Sequence, residues 1–202
     1  MPLLEQVKHT ILAANGLQTQ DIDRVMATLL SVPVDAADIY FQSSHFESWS
    51  LEGGIVKEGS HSIEHGAGVR VVSGDKTGFA YSDRIELPIL LEAANNVKAI
   101  VKHGQNVQHK VATHQNWPQL YQPLNPLKSL ADQDKIDLLK RVDAATRKLD
   151  SRIEEVMVSL VATYDNVLIA NQDGSLVADV RPLVRLNGSV IMVEDGRREQ
   201  GS

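Results

Sequence analysis

The sequence predicts an α+β fold built from two helix-plus-antiparallel-sheet units, the second of them truncated at its C-terminus. Three observations predict it. Apolar residues recur at helical spacing in two short opening segments. From Asp38 the period changes to strand alternation broken by glycine turns, and the chain then reads helix, strands, helix, strands. With 202 residues and 43% hydrophobic content, the chain can bury the core such units need.

The elements follow in order. Leu4, Val7, Ile11 and Ala14 form one helical stripe that stops at Asn15-Gly16, where glycine supplies a left-handed residue. Thr19 is positioned to cap a second helix with apolar side Ile22, Val25, Met26 and Leu29, ending before Pro33. Ile39 and Phe41 then alternate with Asp38, Tyr40 and Gln42 in a strand that runs on to Trp49 and Leu51 and turns at Glu52-Gly53-Gly54. The next strand carries Ile63, Val69 and Val71, turns at Ser73-Gly74-Asp75, and returns through Phe79-Ala80-Tyr81.

Asp83 and Glu86 have capping-box spacing, Pro88 suits a first turn, and Leu90, Ala94, Val97 and Val101 make one stripe. This long helix is expected to cover the sheet and to end at Gly104, closing a first domain over residues 1–104. A polar connecting segment, 105–128, carries Pro118, Pro123 and Pro126, with Trp117, Leu120 and Tyr121 pinning it to a neighbouring surface.

The second domain, 129–202, opens with a helix from Ser129 whose Ile136, Leu139, Val142 and Leu149 face inward. Strands are predicted at 153–164, 167–170, 176–180 and 183–193, with a turn at Asn171-Gln172-Asp173-Gly174. A last turn at Glu194-Asp195-Gly196 has no evident partner strand, which leaves a sheet edge open and implies that the natural protein continues.

Composition excludes several functions. A net charge of −6 and a pI near 5.6, without clustered Lys and Arg, exclude a nucleic-acid surface. Without cysteine there is neither a disulfide framework nor a thiolate metal site. No signal-like start and no membrane-spanning apolar run is found, so the expected location is the cytoplasm, away from membranes.

The candidate sites each have a plainer reading. His61-Ser62-Ile63-Glu64-His65 spells the H-x-x-E-H order of one class of zinc peptidases. Two histidines four apart converge on one ion only in a helix; in a strand they lie about 13 Å apart. Gly59, Gly66 and Gly68 would weaken a helix, while Val69, Val71 and Val72 favour a sheet, so the string is read as structural.

Gly66-Ala67-Gly68 and Gly74-Asp75-Lys76-Thr77 lack the register of a phosphate loop and lead into a strand, so they read as hairpin turns. His9, His45, His103, His109 and His114 are scattered. Ser43, Ser44, Ser48 and Ser50 near His45 lack an orienting acid. Asp132, Asp134 and Asp137 suit a helix N-terminus, and Arg181 and Arg185 around Pro182 could either grip a carboxylate or form an ordinary ion pair. No catalytic, cofactor-binding or metal-ligating residue is assigned.

Several strings nevertheless carry a resemblance: Ile39 to Ser44, Glu47-Ser48-Trp49, Gly68-Val69-Arg70, Ser73 to Tyr81, and Ala178 to Leu186. In this order they resemble the front part of the TldD/PmbA family. The resemblance implies a cytosolic zinc metallopeptidase that pairs with a related TldE/PmbA subunit as a heterodimer and cleaves unfolded or leader peptides. It places the His-Glu-x-x-x-His motif and a metal-completing cysteine further along the complete protein. This stretch is therefore expected to be noncatalytic and to bind no zinc itself. The alternative is a noncatalytic protein- or peptide-binding module.

Overall fold

The computed structural model describes residues 2–101 and 122–202. The expected helix end at Gly104 and most of the 105–128 segment, with His103, His109, His114, Trp117, Leu120 and Tyr121, lie outside the described residues. The element order is α1 (Leu3–Ile11), α2 (Thr19–Leu29), β1 (Ala36–Glu52), β2 (Ile55–Ser73), β3 (Lys76–Ser82), α3 (Leu87–Val101), α4 (Asp132–Arg147), β4 (Ile153–Asn171), β5 (Leu176–Glu194) and β6 (Arg197–Gly201). The fold is α+β, with a six-stranded sheet in the order β3-β2-β1-β4-β5-β6.

The chain divides into two compact units that do not follow sequence order. Unit 1 comprises Met1–Ser44, Glu64–Gln122 and Asp165–Val180, and unit 2 comprises His45–Ile63, Pro123–Tyr164 and Arg181–Ser202. β1, β2, β4 and β5 each contribute one stretch to both units.

In unit 1, α1 buries Val7 and Ile11, but Ala14 is exposed in a short 3-10 turn that Gly16 closes at φ +70°. Thr19 is not the cap of α2. Gln18 holds that position, and its backbone N–H donates to the Asp21 carboxylate at 2.9 Å. The predicted stripe Ile22, Val25, Met26 and Leu29 is buried in full. α3 begins at Leu87, because Glu86 spends its carboxylate on Arg84 at 2.8 Å and 3.0 Å instead of closing a box with Asp83. Leu90, Ala94, Val97 and Val101 form its buried face.

α3 lies close to β3: a Cβ at Gly78 would stand 2.6 Å from the Val97 carbonyl oxygen, so only glycine fits there. The β2–β3 turn is tied from outside by Asp35, whose carboxylate accepts the Gly74 N–H at 2.6 Å.

In unit 2, the β1–β2 hairpin turns on Gly53 and Gly54, at φ +58° and +78°, the left-handed pair that a two-residue hairpin requires. A core of Leu51, Leu139, Val156, Val158 and Leu160 sits under α4, with Trp49 and Val56 against it. α4 starts at Asp132; Ser129 instead donates its hydroxyl to the Pro126 carbonyl at 2.7 Å, within a preceding 3-10 turn. Leu149 is 81% exposed, not inward. β4 and β5 are each continuous where two strands apiece were expected, and Pro182 is accommodated within β5. The turn at Asp195-Gly196 does have a returning strand: β6 pairs antiparallel with β5 from Glu194↔Arg197 to Val190↔Gly201.

The buried face of α4 is Lys135, Leu139 and Asp143, so two charges lie where apolar residues were expected. Lys135 Nζ donates to Glu47 Oε1 at 2.6 Å, to the Leu127 carbonyl at 3.0 Å and to Asp132 Oδ1 at 3.3 Å. Trp49 Nε1 donates to the same Glu47 oxygen. At 3% and 9% exposure, Lys135 and Glu47 have given up hydration that their mutual contacts replace. The cluster joins α4, β1 and the 126–128 turn. Lys135→Met is expected to strand the Glu47 carboxylate and to cost about 3 kcal/mol in urea unfolding; a loss below about 1 kcal/mol would show that Glu47 rehydrates freely.

Candidate functional site

In unit 1, alternation along β1 sends Ala37, Ile39, Phe41 and Ser43 into the core and leaves Asp38, Tyr40, Gln42 and Ser44 on the opposite face. There the Tyr40 hydroxyl donates to Gln42 Oε1 at 2.9 Å, and Gln42 Nε2 donates to Ser44 Oγ at 2.8 Å. Arg70 on β2 closes the row with a 2.7 Å bond to Asp38. The β2–β3 register sets Gly68 opposite Tyr81 and Arg70 opposite Phe79, so both aromatic rings stand on this same face.

Phe79 and Tyr81 stack with centroids 6.3 Å apart and remain 58% and 81% exposed. Together with Tyr40, Gln42, Ser44 and Glu64 they line a depression of about 530 Å³. Gly68 makes its floor: a Cβ there would lie 3.1 Å from the Phe79 ring, and one at Gly66 only 2.8 Å from the Ser82 carbonyl oxygen. The result is a trough with exposed rings and a line of amide and hydroxyl groups. Such a surface offers stacking and hydrogen bonds to a polypeptide and contains no activated nucleophile.

The His61 to His65 string is strand throughout, as its glycines and valines predicted. His65 borders the trough of unit 1, whereas His61 belongs to unit 2, with its ring centroid 6.5 Å from that of His45. Among the described residues no group of three His, Asp or Glu side chains could hold a metal ion. These residues therefore do not fit a zinc centre.

The serines are also spoken for or scattered: Ser48 shares a 2.7 Å hydrogen bond with Ser60, Ser44 serves Gln42, and Ser43 is buried. Gly74 N–H, which a phosphate loop would have to offer, is taken by Asp35. Asp137 accepts from Gln133 at 2.9 Å, Asp132 joins Lys135, and Asp134 stays exposed in the first turn of α4. Arg185 Nε donates to Asn187 Oδ1 at 2.8 Å. Sequence reasoning missed the Lys135–Glu47 pair. Its one local signal was the spacing of Lys135 and Asp143 four residues either side of Leu139.

Residues 37–101 match the family model of PmbA/TldA metallopeptidase domain 1, and residues 125–202 that of the PmbA/TldA metallopeptidase central domain. The chain is 46% identical over 202 residues to a metalloprotease TldD homolog of Haemophilus influenzae, covering 99% of this chain and 42% of that relative. It is 38% identical over 198 residues to a metalloprotease TldD homolog of Buchnera aphidicola subsp. Schizaphis graminum, covering 98% of this chain and 41% of the relative. The chain thus spans about two fifths of the length of these relatives.

Two solved structures share the fold. A protein described as a modulator of a DNA gyrase, from Thermotoga maritima, matches with a TM-score of 0.72 at 18% identity, over 90% of this chain and 41% of that one. TldE from Thermococcus kodakarensis matches with a TM-score of 0.66 at 13% identity, over 88% and 40%.

Two outcomes test the geometry. Gly68→Val is expected to push the Phe79 ring off β2, costing about 1–3 kcal/mol of stability and shifting the ring resonances; unmoved resonances would show that the contact does not hold the ring. The His45 pKa is lowered by burial first, then by His61 and Lys128. Below its ordinary value of 6.5 the unfolded chain therefore takes up a proton that the native His45 refuses. Stability should fall as pH drops from 6.5 toward the native value and stay level above it. His45→Gln should flatten that slope in urea melts, and an unchanged slope would remove His45 as its source.

Proposed function

Because this chain belongs to the PmbA/TldD metallopeptidase family, we propose that it is the N-terminal, noncatalytic portion of a TldD-like zinc metallopeptidase. The complete enzyme would cleave unfolded or leader peptides together with a TldE/PmbA-type subunit. The observation that carries this reading is an alignment that runs the whole length of the chain yet covers about two fifths of relatives named metalloproteases. The likeness to TldE supports a subunit of related fold as the partner.

In this reading the zinc is held beyond these residues, on a His-Glu-x-x-x-His segment with a cysteine. The sequence has no His-Glu pair and no cysteine, in keeping with that placement. No metal ligand, general base or nucleophile is assigned to this chain. The proposed division along the sequence is a first domain over 1–104, a connecting segment over 105–128 and the start of the central domain over 129–202; the family models match residues 37–101 and 125–202.

The work proposed for this part is to present surfaces. The trough of Tyr40, Gln42, Phe79 and Tyr81 suits an extended peptide or the partner subunit, since exposed rings and amides can accept many sequences. That same trough is what favours the second reading, a protein- or peptide-binding module without hydrolysis. This reading takes the protein to be cytoplasmic, with no nucleic-acid or membrane role. No helix among the described residues is long and apolar enough to cross a membrane.

A peptidase assay separates the two readings. The full-length protein with its TldE-type subunit is expected to cleave an unfolded peptide, to lose activity with a chelator and to regain it with zinc, while the present chain alone turns over nothing. Activity that survives complete metal removal would sink the metallopeptidase reading, and turnover by the chain alone would sink its noncatalytic assignment.

A further inference from the structure

The trough of unit 1 holds a charge that its rings and amides do not account for. Ala67, Val69 and Val71 of β2 are buried, and strand alternation turns Glu64, Gly66, Gly68 and Arg70 to the opposite, outer face. The two glycines leave a gap over β2 between the carboxylate and the guanidinium. Arg70 is bonded to Asp38 at 2.7 Å and lies off the lining. Glu64 is therefore the only Asp, Glu, Lys or Arg among the described residues that line the trough.

The other walls of the gap match that charge. The Phe79 ring stands 3.1 Å from where a Gly68 Cβ would be, and it stacks with Tyr81, which is 81% exposed. The Ser82 carbonyl oxygen stands 2.8 Å from the corresponding point at Gly66. Ring faces carry the negative part of the aromatic quadrupole, and a carbonyl oxygen is an acceptor alone. A group entering this gap meets π-systems, a carbonyl oxygen and a carboxylate, a combination that attracts a cation and repels an anion.

Dimensions narrow the source of that cation. Glu64 is two residues from Gly66, about 6.6 Å along the strand, so a cation over Gly66 lies within reach of the carboxylate while an alkyl stem rests against the rings. The trough also crosses from β3 over β2 to Gln42 and Ser44 on β1, two strand spacings or about 10 Å. That is wider than a lone ammonium or guanidinium, and the amide and hydroxyl on the far side suit peptide groups.

We propose that the trough seats a basic side chain of an extended polypeptide, with its cationic head between the Phe79–Tyr81 rings and the Glu64 carboxylate. The inference rests on the reading of this trough as a polypeptide surface and adds to it a preference for a positively charged residue.

The test is fluorescence anisotropy on the purified chain at pH 8, where an ordinary imidazole is neutral. The probe is a short labelled Ser/Thr/Gln peptide with capped ends and one central lysine. Saturable binding is expected, and Nε-acetylation of that lysine, which keeps the stem and removes the charge, should weaken it about tenfold. Glu64→Gln and Tyr81→Leu should each weaken the lysine peptide about three- to fivefold, and Glu64→Gln should leave the acetylated peptide unaffected. Glu92→Gln, an exposed carboxylate on α3 away from the lining, should change neither.

Equal binding of the lysine and acetyl-lysine peptides overturns the proposal and leaves the trough a polypeptide surface without charge preference. Absence of saturable binding by either peptide overturns both readings. Insensitivity to Glu64→Gln or to Tyr81→Leu, or an equal loss with Glu92→Gln, also overturns the proposal, the last because the acidic chain would then be attracting lysine as a whole. Competition by free lysine amide at the peptide's own concentration overturns it as well, since the site would be one for a small cation.

Discussion

A β-strand shows alternate side chains to opposite faces, and four strands of 17–19 residues make that alternation the constraint on which this structure rests. Within each unit, one parity carries the core and the other is left to solvent. In unit 1 the buried parity of β1 is Ala37, Ile39, Phe41 and Ser43; in unit 2 the buried parity of β4 is Val156, Val158 and Leu160. A change of a single register step would exchange these sets, placing Tyr40 and Gln42 inside and Phe41 in water. The trough of unit 1 is a consequence of the uncovered parity, which is free to carry rings and amides.

The buried parity also explains why charge enters the core of unit 2. β1 carries Glu47 between Ser43 and Leu51 on the inward side, so a carboxylate is delivered beneath α4 whatever helix covers it. The helix answers with Lys135 at the same level. Lys135 satisfies its three donors on Glu47, Asp132 and the Leu127 carbonyl, which fixes the end of the connecting segment to the start of α4. A Leu–Leu contact would bury as much surface, yet it would not define where residues 126–128 attach. The cluster is therefore better understood as a registration device than as a source of stability.

Much of the fold was legible in the residues, and the reason is locality. The stripes Ile22, Val25, Met26, Leu29 and Leu90, Ala94, Val97, Val101 each lie within one helix, where a 3.6-residue period suffices to name the buried side. The Gly53-Gly54 and Gly74 turns were equally local, because their left-handed backbone is a property of glycine. Misreadings occurred where a side-chain partner outside the local pattern decided. Glu86 looked like a capping residue until Arg84 claimed it. Lys135 drew no reading at all, because its partner Glu47 is 88 positions away. Pro182 looked like a strand end, yet β5 runs through it from Leu176 to Glu194.

The sequence by itself determined the class of fold, the buried faces of α2 and α3, the glycine hairpin turns and the strand conformation of His61 to His65, since each follows from the backbone geometry of a single element. Only the tertiary structure decided which side chains meet: that His61 stands by His45, that Phe79 lies over Gly68, and that Lys135 reaches Glu47. The physical reason is that such surfaces are assembled across strands, and the pairing that brings residues 40, 68 and 79 together is settled by the packing of the sheet rather than by any one stretch of chain.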